Sequence, residues 1–291
     1  MDRPSLTLCV DELLVGKPAL LAPGLMSAMG KQPVSGVVQI GWLGLEDDGV
    51  ADPINRGGHD KAIHLVPREH YSWWRAVMGD HPLLENAGAF GENLSTRGAT
   101  EEELCLGDRF SLGTAVLEIS HGRQPCSKLN ARFGRSDVLA HAVASGRCGL
   151  YLRVIKQGEA QAGTAMRLID RPFPEWPMSR VFHLLVGGGY RGDLAGVAVL
   201  ARNGILAEAW RSSRDNACRL ELLASRRLRA TSPKGRSTEA AFNGFGARSV
   251  RLSISPAVEG AERYSNQTVR ARWLKGSRKC LAPQSPVSET A

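Results

Sequence analysis

Along the first 170 residues the apolar positions come in short runs broken by glycine: "LTLCV", "VSGVVQIGWL", "KAIHLV", "FSLG", "TAVLEIS", "GLYLRVI" and "TAMRLI". Short β-branched runs bounded by glycine predict strands, and the glycines themselves predict the bulges and bends of a closed or strongly twisted sheet. The expected fold class is mainly β with helices, built as a barrel. Two helices interrupt the pattern. "PREHYSWWRAVMG" sets Pro67 at a helix-opening position and spaces His70, Trp73 and Trp74 by three and four residues, and "SDVLAHAVASG" runs from a Ser136 or Asp137 cap to a stop at Gly146.

The pattern changes at "RLIDRPFPEWP", where Pro172, Pro174 and Pro177 form a stiff connector that continues neither a helix nor a central strand. Residues 1–170 are therefore expected as one barrel domain and 171–222 as a small helical domain of short amphipathic segments. Residues 223–291, polar, basic and without sustained periodicity, are expected as a tail of low order.

Charge follows the same division. The 291 residues carry a formal net charge of +8, but residues 1–170 hold 17 Lys and Arg against 20 Asp and Glu, while 171–291 hold 20 against 9. The basic character belongs to the C-terminal part, so nucleic-acid binding is expected only through the tail. No apolar run approaches the roughly 20 residues of a membrane span, and acidic residues stand where a basic leader would, so a cytoplasmic protein with no membrane partner is expected. Cysteines at 9, 105, 126, 148, 218 and 280 form no CxxC pair, which argues against a disulfide framework and against a tetrahedral zinc site.

One cysteine stands apart. "TAVLEIS" reads as a strand, "HGRQP" must leave the sheet, and "CSKLNARFG" opens a helical turn, so Cys126 is expected at a strand-to-helix junction near Arg123, Lys128 and Arg132. A helix N-terminus and nearby cations favour the thiolate, the form that a nucleophile or a soft-metal ligand requires. The alternative is a small apolar filler, and spacing alone leaves both open. Cys9, Cys105 and Cys148 lie in or beside strand-like text and read as packing.

"NRGGHDKAIHLVPREHY" offers a second group of candidates. Gly57 and Gly58 allow close backbone approach, and Arg56 and Lys61 offer charge to an oxyanion. His59, His64 and His70 are spaced by five and six residues and do not share one helical face, so they predict no metal triad. In a regular strand Lys61 and His64 point to opposite faces, and both reach one ligand only across a bulge. In "GAFGENLSTRG", Asn93 either orients a ligand through its amide or holds the turn. Asp108 in "CLGDRF" reads as structural.

Taken together, "KQPVSG", "INRGGHDKAIHLVPREHYSWWR", "FGENLSTRGATEEELCLGDRFSLG", "LEISHGRQPCSKLNARFG" and "SGRCGLYLRVIKQG" resemble the MOSC domain, named after the C-terminal domain of molybdenum cofactor sulfurases. Within that family they are most similar to the bacterial 6-N-hydroxylaminopurine resistance proteins. The resemblance covers about Val15 to Asp170, and "RPFPEWPMSRVFHLL" and "GILAEAWRSS" resemble the small three-helix domain of that subgroup. It implies a MOSC-type β-barrel in which Cys126, in "RQPC", ligates the metal of a molybdenum cofactor (Mo-pterin) or carries a persulfide. It further implies that Arg56, Lys61, His64 and Asn93, with Arg123 and Lys128 beside the cysteine, hold the cofactor. Pyridoxal phosphate binding is a further property attached to the resemblance.

The activity implied is a molybdenum-cofactor-dependent reductase of small N-hydroxylated compounds such as N-hydroxylated purine bases. An electron-donating redox protein is implied as partner, because no nicotinamide or flavin fingerprint is visible in the chain. Two other readings stay open: a sulfur carrier with a persulfide on Cys126, and a non-catalytic molybdenum cofactor-binding protein. A homodimer through "SWW" or the apolar face of the helical domain also stays open.

Overall fold

Strand β1 (Thr7–Val15) alternates as a half-buried strand should, with Leu8 and Val10 buried and Cys9 exposed between them. A register shift between Val10 and Glu12 against its neighbour then returns Leu13 to the inward face with Leu8 and Val10. The computed structural model describes residues 6–53, 57–202, 204–207 and 210. After β1 come β2 (Ala19–Ala22), β3 (Leu25–Ser27), β4 (Gln32–Pro33), β5 (Val38–Gly41), β6 (Gly44–Leu45) and β7 (Ile63–Pro67). Helix α1 (His70–Met78) leads to β8 (Leu94–Arg97), β9 (Arg109–Leu112) and β10 (Ala115–Gly122). Two short helices, α2 (Lys128–Arg132) and α3 (Val138–Ser145), precede β11 (Leu150–Lys156), β12 (Gly158–Ala160) and β13 (Ala165–Asp170). Helices α4 (Met178–Leu185) and α5 (Leu194–Arg202) follow.

Seven of these strands close a barrel in the order β1, β8, β7, β11, β10, β9, β13, with β13 pairing back onto β1 through Thr7↔Arg167 to Cys9↔Ala165. Closure leaves no unpaired edge on the barrel, as the glycine-punctuated strand pattern predicts. Neighbours are antiparallel except β7 and β8. A parallel pair needs a crossover, and the segment between β7 and β8, which carries α1, supplies it. Leu8, Ile63, Leu65, Leu94, Phe110, Leu117, Leu150 and Leu152 are fully or almost fully buried members of the core. Helix α1 adds Tyr71 and Trp74, spaced so that both face the core. Phe182 and Leu185 of α4 join the same cluster.

Two local expectations change and a third is met. Pro67 ends β7 instead of opening α1, which starts at His70; a strand's last position tolerates its missing N–H. Cys9 lies on the outer face of β1 and packs into no core, whereas Cys105 and Cys148 are buried. α3 meets its predicted stop, because Gly146 takes the left-handed conformation (φ 71°) that caps a helix. Of the expected third helix around "GILAEAWRSS" only residues 204–207 and 210 are described, and all of the expected tail lies outside the described residues. The chain separates into two compact units, Met1–Arg227 and Leu228–Ala291, and every described residue belongs to the first.

Candidate functional site

The site grows from an irregularity in β10. Ile119 pairs with Leu152 but His121 pairs with Tyr151, so Ser120 is an extra residue in the ladder. The Ser120 hydroxyl donates to the Asp60 carbonyl at 2.6 Å, tying this bulge to the 3-10 turn His59–Lys61. Beyond it the chain leaves the sheet as predicted. Cys126 is a free, half-buried thiol two residues before α2 begins.

The short helix and the cations beside it in sequence have tasks of their own. α2 is only five residues long, too short to develop the dipole of a full helix. Lys128 Nζ donates to the Met26 carbonyl at 2.7 Å, and Arg132 donates to the carbonyls of Ala89 and Gly88, each at 2.8 Å. These cations pin loops together; their hydrogen bonds run to carbonyls and none to the sulfur.

Beside this loop a cavity of about 90 Å³ gathers Lys61, His64, Asn93, Arg123 and Lys128. Arg56 lies outside the described residues, and Cys126 stands three residues beyond Arg123 along the chain without lining the cavity. Lys61 and His64 share this cavity with no bulge between them. The conflict foreseen for a regular strand vanishes because Lys61 closes the 3-10 turn, and β7 starts only at Ile63.

His64 is buried, and its Nε2 lies 3.0 Å from the Cys148 carbonyl, so the neutral ring carries its proton there. Burial, reinforced by the Arg123 guanidinium, holds its pKa well below the ordinary value; the nearby backbone carbonyls of Cys148 and Gly91 oppose this and lose. Asn93 spends its amide on the framework. Its Oδ1 accepts from the His64 backbone N–H at 3.1 Å, and its Nδ2 donates to the Leu14 carbonyl at 3.1 Å and to Asp48 Oδ2 at 2.8 Å. Of its two readings, holding the chain is the one its bonds display.

Asp48 also accepts from the Gly16 N–H at 2.9 Å and pairs with the buried Lys31 ammonium. Burial lowers the Lys31 pKa more than Asp48 raises it. Neither residue was singled out as a candidate. The only sequence signal for Lys31 was its place at the head of "KQPVSG", and Asp48 had none, because the pair is formed between loops 17 residues apart. Tyr151 was missed as well; its ring stands 5.2 Å from that of His64 and 5.1 Å from that of His121. Glu92, fully buried, accepts from the N–H groups of Gly88 and Phe90 and from the Tyr71 hydroxyl, and so folds the loop on which Asn93 sits.

Arg123 is the anomaly of the cavity. The residue is 4% exposed, its Nη1 has no hydrogen-bond partner, and its Nη2 meets only the weak acceptor Met29 Sδ at 4.0 Å. Buried charged donors are normally paired. Cys148 below it is inert: burial pushes its thiol up to about 12, and its Sγ lies 3.2 Å from the Arg123 carbonyl. Among the described residues no three His, Cys, Asp or Glu side chains stand together as a metal-binding cluster. No helix among them is long and apolar enough to cross a membrane.

A seven-stranded closed barrel with a cation-lined cavity beside a loop cysteine defines a class of small β-barrel domain, and comparison with known proteins gives that class its family. The model of the MOSC domain matches residues 52–167. The uncharacterized protein YflK of Bacillus subtilis is 35% identical over 207 residues, covering 70% of this chain and 91% of YflK. Protein YiiM of Escherichia coli is 38% identical over 160 residues, 55% of this chain and 71% of YiiM. A Gibberella moniliformis protein named reductase is 37% identical over 166 residues, 57% of this chain but only 29% of that longer protein. The crystal structure of YiiM from Geobacillus stearothermophilus superposes with a TM-score of 0.61 at 30% identity, covering 73% of this chain and 99% of that one. This chain belongs to the MOSC domain family.

Proposed function

We propose that this protein is a molybdenum-cofactor-dependent reductase of N-hydroxylated compounds such as N-hydroxylated purine bases. The observation that carries the reading is the buried Arg123, whose Nη1 has no hydrogen-bond partner, in a cavity that Lys61 and Lys128 also line. That donor set suits an anionic, phosphate-bearing group, because charge-assisted hydrogen bonds to phosphate oxygens satisfy the donor that the fold leaves open. A cavity of about 90 Å³ is below the roughly 300 Å³ at which small-molecule sites begin, so it suits the phosphate end of a pterin cofactor and not the whole of it. When bound, the molybdenum cofactor supplies the two-electron chemistry that removes oxygen from an N-hydroxylated nitrogen.

Each residue then has a part. Arg123, Lys61 and Lys128 hold the anion, with Arg56 a further candidate, and the half-buried Cys126 offers sulfur as a metal ligand. Asn93 and the Lys31–Asp48 pair hold β1, β7 and the loops at fixed separation, and His64, kept neutral by burial, lines the wall beside Arg123. An electron-donating redox protein completes the reaction. The same cations suit the phosphate of pyridoxal phosphate, but the amine its aldehyde needs is held by Asp48 at Lys31 and donates to the Met26 carbonyl at Lys128. The name of the fungal relative, reductase, agrees with the proposed class of reaction.

The test is reduction of an N-hydroxylated purine by purified protein with a reconstituted electron donor. Cys126→Ser is expected to abolish turnover while leaving the unfolding midpoint unchanged. Undiminished turnover in that variant contradicts the proposal, and metal-free protein bearing a labile persulfide on Cys126 replaces it with the sulfur carrier.

A further inference from the structure

A second, larger cavity of about 290 Å³ lies in the seam where α4 packs against the barrel, and neither Arg123 nor Cys126 lines it. Its wall is built from four places in the chain: His70 at the start of α1, the Thr100–Glu102 turn after β8, the last turn and cap of α3 (143–147), and one face of α4. Its volume is close to the lower limit of small-molecule sites. We propose that this cavity binds a small organic cation with N–H donors, an alkylammonium or amidinium.

The electrostatics select that class. Glu101 is buried; its Oε1 accepts from the Gly149 N–H at 3.1 Å and its Oε2 lies 2.5 Å from His70 Nε2. No Lys or Arg forms an ion pair with it among the described residues. Glu102, exposed at the rim, accepts from the Ser179 hydroxyl at 2.9 Å. The last turn of α3 adds main-chain carbonyls that have no partner within the helix, together with the negative end of its dipole. The cation on this wall, Arg147, has its guanidinium over the Trp73 ring at 5.3 Å from the centroid.

An independent feature points to a ligand. His70 is 3% exposed and lines the cavity, and its Nδ1 is buried with no hydrogen-bond partner. Nε2 faces the Glu101 carboxylate, which leaves Nδ1 as the buried ring atom without a partner. Phe182 supplies an aromatic wall for the apolar part of the ligand. An N–H-bearing cation answers the carboxylates and the carbonyls at once, whereas an anion answers neither.

Isothermal titration of the full-length protein with benzamidine, and separately with benzoate, tests the inference. Saturable one-to-one binding of benzamidine and none of benzoate is expected. Glu102→Lys, a change at the exposed rim that leaves the buried pair intact, should weaken benzamidine binding at least tenfold with an unchanged unfolding midpoint. Glu101→Gln should weaken it as well, with a lowered unfolding midpoint because it changes the buried partner of His70. Cys126→Ser should leave it untouched, which separates this cavity from the proposed reductase site. Absence of saturable benzamidine binding, or binding that Glu102→Lys does not weaken, overturns the inference.

Discussion

Replacing Arg123 with methionine should make the protein more stable and less able to bind anions. Arg123 is buried, its Nη1 has no partner, and the contact of Nη2 is a thioether sulfur at 4.0 Å. Its charge also depresses the pKa values of His64 and Arg132, so it sits among groups that do not welcome it. A buried charged donor left unsatisfied costs about 1–3 kcal/mol. Methionine has a similar reach, is apolar and adapts to the irregular space beside Met29. The expected gain is therefore about 1–2 kcal/mol, read as a rise in the urea midpoint at unchanged m-value in a buffer free of multivalent anions. Adding inorganic phosphate should then stabilise the wild type by ligand linkage and leave Arg123→Met unmoved. A variant that loses more than about 1 kcal/mol in the anion-free buffer refutes the reasoning, because it means the guanidinium is satisfied within the fold.

Further expectations follow from the same geometry. His121 is buried and neutral, its pKa lowered to about 4 chiefly by burial, so the unfolded chain takes up the proton first as pH falls. Stability should be complete above pH 6.5 and decline between 6.5 and about 4, by about 3 kcal/mol for this residue, with His64 acting in the same direction. His121→Phe should flatten that decline in urea titrations, and an unchanged slope contradicts the assignment. Gly149 has φ +86°, and a Cβ there would stand 2.2 Å from the Leu65 carbonyl oxygen. Gly149→Ala should cost about 3 kcal/mol or more by thermal denaturation, and a loss below about 1 kcal/mol contradicts the close approach. Asn93→Ala strands a buried N–H and a buried carbonyl and should cost about 2–4 kcal/mol; a near-neutral result means its amide is not structural.

Strand text between glycines made the barrel legible, since period-two burial in β1 and the short apolar runs of β7, β10 and β11 are properties of the local sequence. Gly146 as a helix stop was legible for the same reason. The cavity was legible only in part. Lys61, His64, Asn93, Arg123 and Lys128 announced themselves by type and spacing, but their roles depend on partners far along the chain. Asn93 reaches across 79 residues to the Leu14 carbonyl, and Lys31 and Asp48 meet only because two loops converge. Alternation could not foresee that Lys61 ends a 3-10 turn and so escapes the strand's two-faced geometry. The tasks of the cations near Cys126 in sequence were equally hidden, because Lys128 and Arg132 give hydrogen bonds to the distant carbonyls of Met26, Gly88 and Ala89.

The central claim is that the Arg123 cavity and the neighbouring Cys126 together hold a molybdenum cofactor. Molybdenum per chain, measured by mass spectrometry on protein purified from molybdate-fed cells, tests it most directly. Near one atom per chain is expected in the wild type, with strong depletion in both Cys126→Ser and Arg123→Met. Wild-type protein devoid of molybdenum, or equal loading in all three proteins, contradicts the account.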